Sequence, residues 1–210
     1  MTAYDHTVIG PESSRILLVQ PVDDHDQAGL EEEYRHIRRL TGRDDFRLLG
    51  VKVSDWNRDL TPWTAPPVYG KEPFGDGAAA TLEQILKMDL PPVVFLGGYS
   101  LAGLFSLWAG YQTDRFAGVA AVSPSVWFPG WTAYAAAHAC LAEKVYLSLG
   151  RKEEKTRHQV MARVGDAIRE EALRLGDRCI LEWNEGGHFQ DPALRTAKGF
   201  AWLLQKEKES

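Results

Sequence analysis

Three residue types in this sequence, a serine, a histidine and a glutamate, could share one reaction. Ser100 stands in "GGYSLAGL" (residues 97–104), directly after the apolar run "PPVVFL". A serine hydroxyl is a weak nucleophile at neutral pH. It needs a base beside it and donors for the oxyanion that forms when it attacks a carbonyl. A strand that turns sharply into a helix gives such a serine exposure and a helix N-terminus, and the crowded turn demands small neighbours. Gly98 lies two before Ser100, Ala102 two after it, and Gly103 one further on. The common pattern is G-x-S-x-G, so Ala102 makes this a variant with a residue still small enough to fit. The plainer alternative is a structural serine in a glycine turn.

The base should be a histidine. His138, His158 and His188 follow Ser100. His138 falls in an alanine-rich helical stretch and His158 in a charged one, which suits packing or surface positions. His188 lies in "NEGGHFQDP", between the last strand and the last helix, at the sheet edge where α/β folds place ligands. Gly186 and Gly187 give its loop room to turn.

The third member must hold the imidazole tautomer and stabilise the imidazolium. It should follow the strand "KVYLSLG", where Glu153 and Glu154 are both placed correctly. Glu153, three residues past Gly150, is preferred, and Glu154 remains the alternate. Either could instead be an ordinary acid in a helix's first turn. Asp166 and Asp177 fit worse. The oxyanion donors should be the Leu101 N–H and one from "QPVDDHD" (residues 20–26), at Asp23 or alternately Val22. The cluster Asp23-Asp24-His25-Asp26 reads as acids before a helix, so neither a metal nor a cofactor is expected.

These positions require a scaffold of alternating strands and helices. Strands are expected over 15–20, closed by Pro21, and over 46–53, 92–97, 116–123, 144–150 and 179–183. Helices are expected over 29–40, 78–88, 101–110, 131–143 and 156–175. In the last of these Val160, Val164, Ile168, Leu173 and Leu175 are largely in apolar phase. A final helix over 191–206 has Asp191 as N-cap and Pro192 at its first position. Residues 54–76 are polar and proline-rich, too long for an ordinary connection, and read as a functional loop or lid. The alternation predicts an α/β three-layer sandwich with a mostly parallel central sheet, as one domain over 1–210.

The chain has 210 residues, 25% charged, with a net charge of −5, so nucleic acid is not an expected partner. Residues 1–15 lack the basic and apolar regions of a leader, and no apolar run approaches a membrane span. The expected location is cytoplasmic. Cys140 and Cys179 read as buried reduced thiols. Trp63, Trp127, Phe128 and Trp131 could form an apolar wall for a substrate, or cap the core beneath loops. Arg58 could meet an anionic substrate group, or brace its own loop.

Four segments carry a resemblance covering about residues 15 to 205: "GGYSLAGLFSLW", "NRDLTPW" (57–63), "SPSVWF" (123–128) and "GGHF" (186–189). In order and spacing the sequence resembles the α/β-hydrolase group containing esterase D, the ferric enterobactin esterases, feruloyl esterases and mycolyltransferases. The resemblance implies an α/β-hydrolase, and the chain is shorter than many such relatives, with no evident inserted lid domain, so a compact form is expected. It implies a serine hydrolase acting on a small-molecule ester, with Ser100 as nucleophile and His188 as base. It leaves Glu153 and Glu154 both open. An acyltransferase using the same residues, or a silent hydrolase fold serving as a binding module, are the alternatives.

Overall fold

The computed structural model describes residues 5–207. The elements run β1 (His6–Ile9), β2 (Ile16–Val22), α1 (Asp24–Thr41), β3 (Phe46–Lys52), α2 (Trp56–Asp59), α3 (Ala78–Leu86), β4 (Val93–Tyr99) and α4 (Leu101–Gln112). They continue with β5 (Gly118–Val122), α5 (Trp131–Ala137), β6 (Val145–Gly150), α6 (Gln159–Ala162), α7 (Val164–Leu175), β7 (Cys179–Asn184) and α8 (Pro192–Glu207).

One seven-stranded sheet has the order β1-β3-β2-β4-β5-β6-β7. β1 is antiparallel to β3, and every other neighbouring pair is parallel. Every residue of β2, β5 and β6 is buried, as a sheet covered on both faces requires. α1 and α8 cover one face around Phe46, Phe95, Tyr146 and Phe200. α3, α4, α5 and α7 cover the other around Leu96, Phe105, Leu149 and Ile168. The fold is thus an α/β sandwich of three layers. The chain passes from β2 outward to β3, then returns to β4 on β2's other side. That reversal opens a crevice at the carboxyl ends of β2 and β4, where such sheets bind ligands.

Several boundaries differ from the expected ones, each for a local reason. β2 continues through Pro21 to Val22. Val53 N–H donates to the Val22 carbonyl at 3.0 Å, so alternation turns Pro21's missing N–H toward β4. The β2–β4 pairing has already ended at Val19, so no ladder bond is lost. The helix expected over 29–40 begins at Asp24, because the Asp23 carboxylate accepts from the Asp26 N–H at 2.8 Å and caps it. Asp191 stands before α8 with φ of 52°, not the extended backbone of a usual N-cap, and Pro192 opens the helix.

The helix expected over 131–143 stops at Ala137. Beyond it the Leu141 and Ala142 N–H groups both turn back onto the Gly110 carbonyl. The helix expected over 156–175 is broken into α6 and α7. In α7, Val164, Ile168, Glu171 and Leu175 form the buried stripe, and Leu173 lies off it at 83% exposure. Val160 is also exposed. Residues 54–76 do not stand free as a lid. Asp59 accepts from the Ser54 and Asp55 N–H groups, Ala65 bridges Phe74, and Leu60 and Phe74 are buried in the core.

β1 is absent from the expected elements; it is a four-residue edge strand, half exposed, with little hydrophobic signal. Residues 1–4 of the stretch expected not to be a leader lie outside the described residues. Both cysteines are free thiols, Cys140 buried and Cys179 only partly so. Among the described residues no helix is long and apolar enough to cross a membrane.

Candidate active site

Ser100 joins β4 to α4 with φ of 59° and ψ of −119°, a backbone that a side chain rarely tolerates. Surrounding bonds fix it there. Its N–H donates to the Val122 carbonyl at 3.1 Å, and its carbonyl accepts from Leu104 at 3.0 Å and Ser125 at 3.1 Å. A Cβ at Gly98 would fall 2.6 Å from the Ala102 Cβ, and one at Gly103 would fall 2.9 Å from the Val122 carbonyl oxygen. This accounts for the variant spacing. Position 102 accepts a methyl because position 98 has none, and position 103 makes the close approach to β5.

His188 reaches over from the loop between β7 and α8. Its Nε2 lies 3.0 Å from Ser100 Oγ, and its Nδ1 lies 2.7 Å from Glu153 Oε2. The other carboxylate oxygen, Oε1, accepts from Gly150 N–H at 2.7 Å, the Ser123 hydroxyl at 2.8 Å and Arg195 Nη1 at 3.3 Å. Burial alone would push the Glu153 carboxyl up. The hydrogen bond and charge of His188, with the Gly150 and Ser123 donors, outweigh it and hold the carboxyl below its usual range. Glu154 faces the other way, its Oε2 2.8 Å from Arg169 Nη2.

Two residues outside the expected set complete this framework. Tyr99 donates its hydroxyl proton to the His188 carbonyl at 2.6 Å. Arg195, 2% exposed, donates to the Tyr99 oxygen at 3.1 Å and to the Glu185 carbonyl at 2.5 Å. The available signal was an arginine in helical phase with Gly199 and Leu203, a charge on an otherwise apolar stripe. The "SPSVWF" segment also gains a reason. Ser123 binds Glu153, and the Ser125 hydroxyl lies 3.4 Å from that of Ser100.

Leu101 is the first residue of α4, where N–H groups lack helical partners. Asp23 directly follows β2, between its last residue Val22 and the start of α1. Asp23 caps α1 and Asp24 pairs with Lys52 at 2.5 Å. Among the described residues no cluster of three ligating side chains could hold a metal ion.

The aromatic wall is not open. Phe128 and Trp131 keep only 2% and 1% of their surface and belong to the core. Phe74 packs on Phe128 at 5.2 Å, and Trp63 packs on Phe128 at 5.7 Å while donating to the Pro129 carbonyl. Trp127 retains 9%, with Tyr69 against it at 5.9 Å. These rings cap the core under the 54–76 loop because that loop folds down on them. Arg58 braces the same loop, donating from Nε to Asp59 at 2.8 Å.

No protein-family model matches the sequence, and no curated protein matches it. Solved structures do. An IroE-like serine hydrolase from Shewanella oneidensis superposes with a TM-score of 0.73 at 15% identity, over 95% of this chain and 75% of that one. The siderophore hydrolase EstA from Aspergillus nidulans gives 0.61 at 18%, over 99% and 95%. An enterobactin esterase from Shigella flexneri gives 0.67 at 14%, over 96% of this chain but 55% of its own. At such identities the likeness is one of fold: this chain has the α/β-hydrolase fold that these esterases and hydrolases share.

Proposed function

We propose that the protein is a serine carboxylesterase acting on a small-molecule ester, and that it belongs to the esterase group its motifs resemble. The observation that carries this is the hydrogen-bonded line Glu153–His188–Ser100, ending on a positive-φ serine at the sheet's reversal point. Ser100 Oγ attacks the ester carbonyl while His188 Nε2 takes its proton. His188 then returns that proton to the departing alcohol, leaving an acyl group on Ser100. Water, deprotonated by His188, adds to the acyl carbonyl and releases the acid. Glu153 holds the imidazole with Nε2 toward the serine and stabilises its charged form.

The oxyanion is bound by the Leu101 N–H at the start of α4 and by the Asp23 N–H. Asp23 is favoured over Val22 because the Val22 carbonyl accepts from Val53, which turns Val22's peptide groups toward β3. Alternation then turns the Asp23 N–H toward β4, while its carbonyl accepts from Gln27 at the start of α1. The Trp127 edge is the part of the aromatic cluster left for a substrate to touch.

Fluorophosphonate treatment should add one adduct mass on Ser100, and Ser100→Ala should cut p-nitrophenyl acetate turnover by about 10³-fold or more. Unchanged turnover in that variant would sink the proposal. A panel of acyl, aryl and sugar esters should include enterobactin and another siderophore, since one neighbour is named an enterobactin esterase and another a siderophore hydrolase. Added alcohol acceptors would reveal acyl transfer by their ester products.

A further inference from the structure

A second feature of the crevice has no part in this chemistry. A cavity of about 350 Å³ lies between the end of β2 and the first turns of α1 and α8, with Tyr99 in its wall. Its lining carries Asp26, Glu32 and Glu33 and neither lysine nor arginine. Glu33 is 5% exposed. Its Oε2 accepts from Gln20 Nε2 at 3.0 Å, while its Oε1 has no hydrogen-bond partner. A buried polar atom left unpaired forfeits its hydration without return, and native structures hold few of them.

Asp26, Gly29 and Glu33 recur at i, i+3 and i+7 along α1, so both carboxyls lie on one face with a glycine between them. A Cβ at Gly29 would meet nothing within 4 Å, so that space is open. Pro21 and Ala193 supply apolar wall. Carboxylates facing an apolar wall suit an organic cation, which has both a charge and a carbon part.

We propose that this cavity binds a primary alkylammonium group, with the Glu33 and Asp26 carboxylates accepting its N–H donors and Pro21 and Ala193 packing on its alkyl part. The ammonium belongs either to a free amine or to the alcohol side of an ester substrate. The binding itself stands whether or not Ser100 is a nucleophile. Tyr99 joins the two places, lining the cavity while its hydroxyl holds the His188 carbonyl.

The site should respond to pH. The titratable groups that line the cavity with Glu33 are Asp26, His25 and Glu32 on α1 and Tyr99 on β4; Gln20 of β2 and Thr196 of α8 line it without titrating. Burial, with the nearby Asp26 charge, pushes the Glu33 carboxyl up to about 8 against the Gln20 hydrogen bond. Burial and the Asp23 charge push Asp26 up to about 6. Both must be ionised to hold a cation, so affinity rises with pH through these values and a proton is released on binding.

Calorimetry on the full chain with propylammonium chloride tests this, with potassium chloride and propan-1-ol as controls. Saturable binding of the ammonium alone is expected, at least about tenfold tighter at pH 8.5 than at pH 5.5. Glu33→Gln, nearly isosteric, should weaken it by about tenfold or more at pH 8.5 while remaining folded, and Glu31→Gln should not. If Glu33→Gln fails to fold, Asp26→Asn with Glu33 intact must show the loss. No saturable binding at pH 8.5, equal affinity at both pH values, or parental affinity in Glu33→Gln would each overturn the site. Acetyl esters of 3-aminopropan-1-ol and butan-1-ol separate the two sources. A kcat/KM loss in Glu33→Gln confined to the amino ester assigns the ammonium to the substrate. Equal rates with intact binding in the parent assign it to a free amine.

Discussion

Glu153 and Glu33 are both buried glutamates near the carboxyl edge of the sheet, and their carboxyls are shifted in opposite directions. Every oxygen of Glu153 is partnered: Oε2 by His188, Oε1 by Gly150, Ser123 and Arg195. Glu33 has Gln20 on one oxygen and nothing on the other. The first carboxyl is held below its usual range and the second is pushed up to about 8. Burial acts on both in the same direction. The number and charge of the donors decides which remains an anion.

The comparison breaks most sharply at Glu153. Glu153→Gln keeps the shape but removes the charge that stabilises the imidazolium, so kcat should fall by about 10³- to 10⁴-fold, read on p-nitrophenyl acetate. A fall under tenfold would mean the carboxylate does not act through His188.

The next effect is on stability. A carboxyl whose folded pKa is raised, as at Glu33, contributes stability fully below its ordinary value near 4.5 and loses it as pH rises through about 8. Glu33→Gln should remove that decline, leaving the variant more stable than the parent at pH 9 by a few kcal/mol, an order-of-magnitude figure. Urea titrations at pH 5 and pH 9 measure it, and parallel losses in parent and variant would refute it. Glu153 has the reverse sign, its contribution being lost as pH falls below the usual carboxylate range.

Smaller still, Tyr99→Phe removes the hydroxyl that fixes the His188 carbonyl. It should lower kcat by about tenfold with little change in KM. Glu154→Gln, whose carboxylate faces Arg169, should change kcat by less than about twofold. A larger loss there would reopen the choice between the two acids.

Much of the scaffold is legible in the sequence because parallel strands buried on both faces read as unbroken apolar runs, as in residues 93–96 and 119–122. Ser100, His188 and the pair Glu153 and Glu154 stand out as candidates because each follows an expected strand at a turn. The choice between Glu153 and Glu154 is not legible. It depends on Oε1 partners contributed by β5, β6 and α8, far apart in sequence. The aromatic wall misleads for a related reason: a loop tryptophan looks available until residues 54–76 are seen folded over it. Glu33 reads as one more charge on an acidic helix until packing shows that it faces inward.

α8 carries a consequence for when the protein becomes competent. It lays Phe200, Leu203 and Leu204 against one face of the sheet, and its Arg195 ties Glu153, Tyr99 and Glu185 together. Arg43, at the far end of α1, donates to the Leu204 carbonyl across 161 positions. Synthesis delivers the chain from its N-terminus. All seven strands therefore leave the ribosome before α8 covers its part of one face, while the carboxylate at 153 still lacks its arginine. The order of synthesis leaves the framework around Ser100 and His188 for last, completed only when α8 docks.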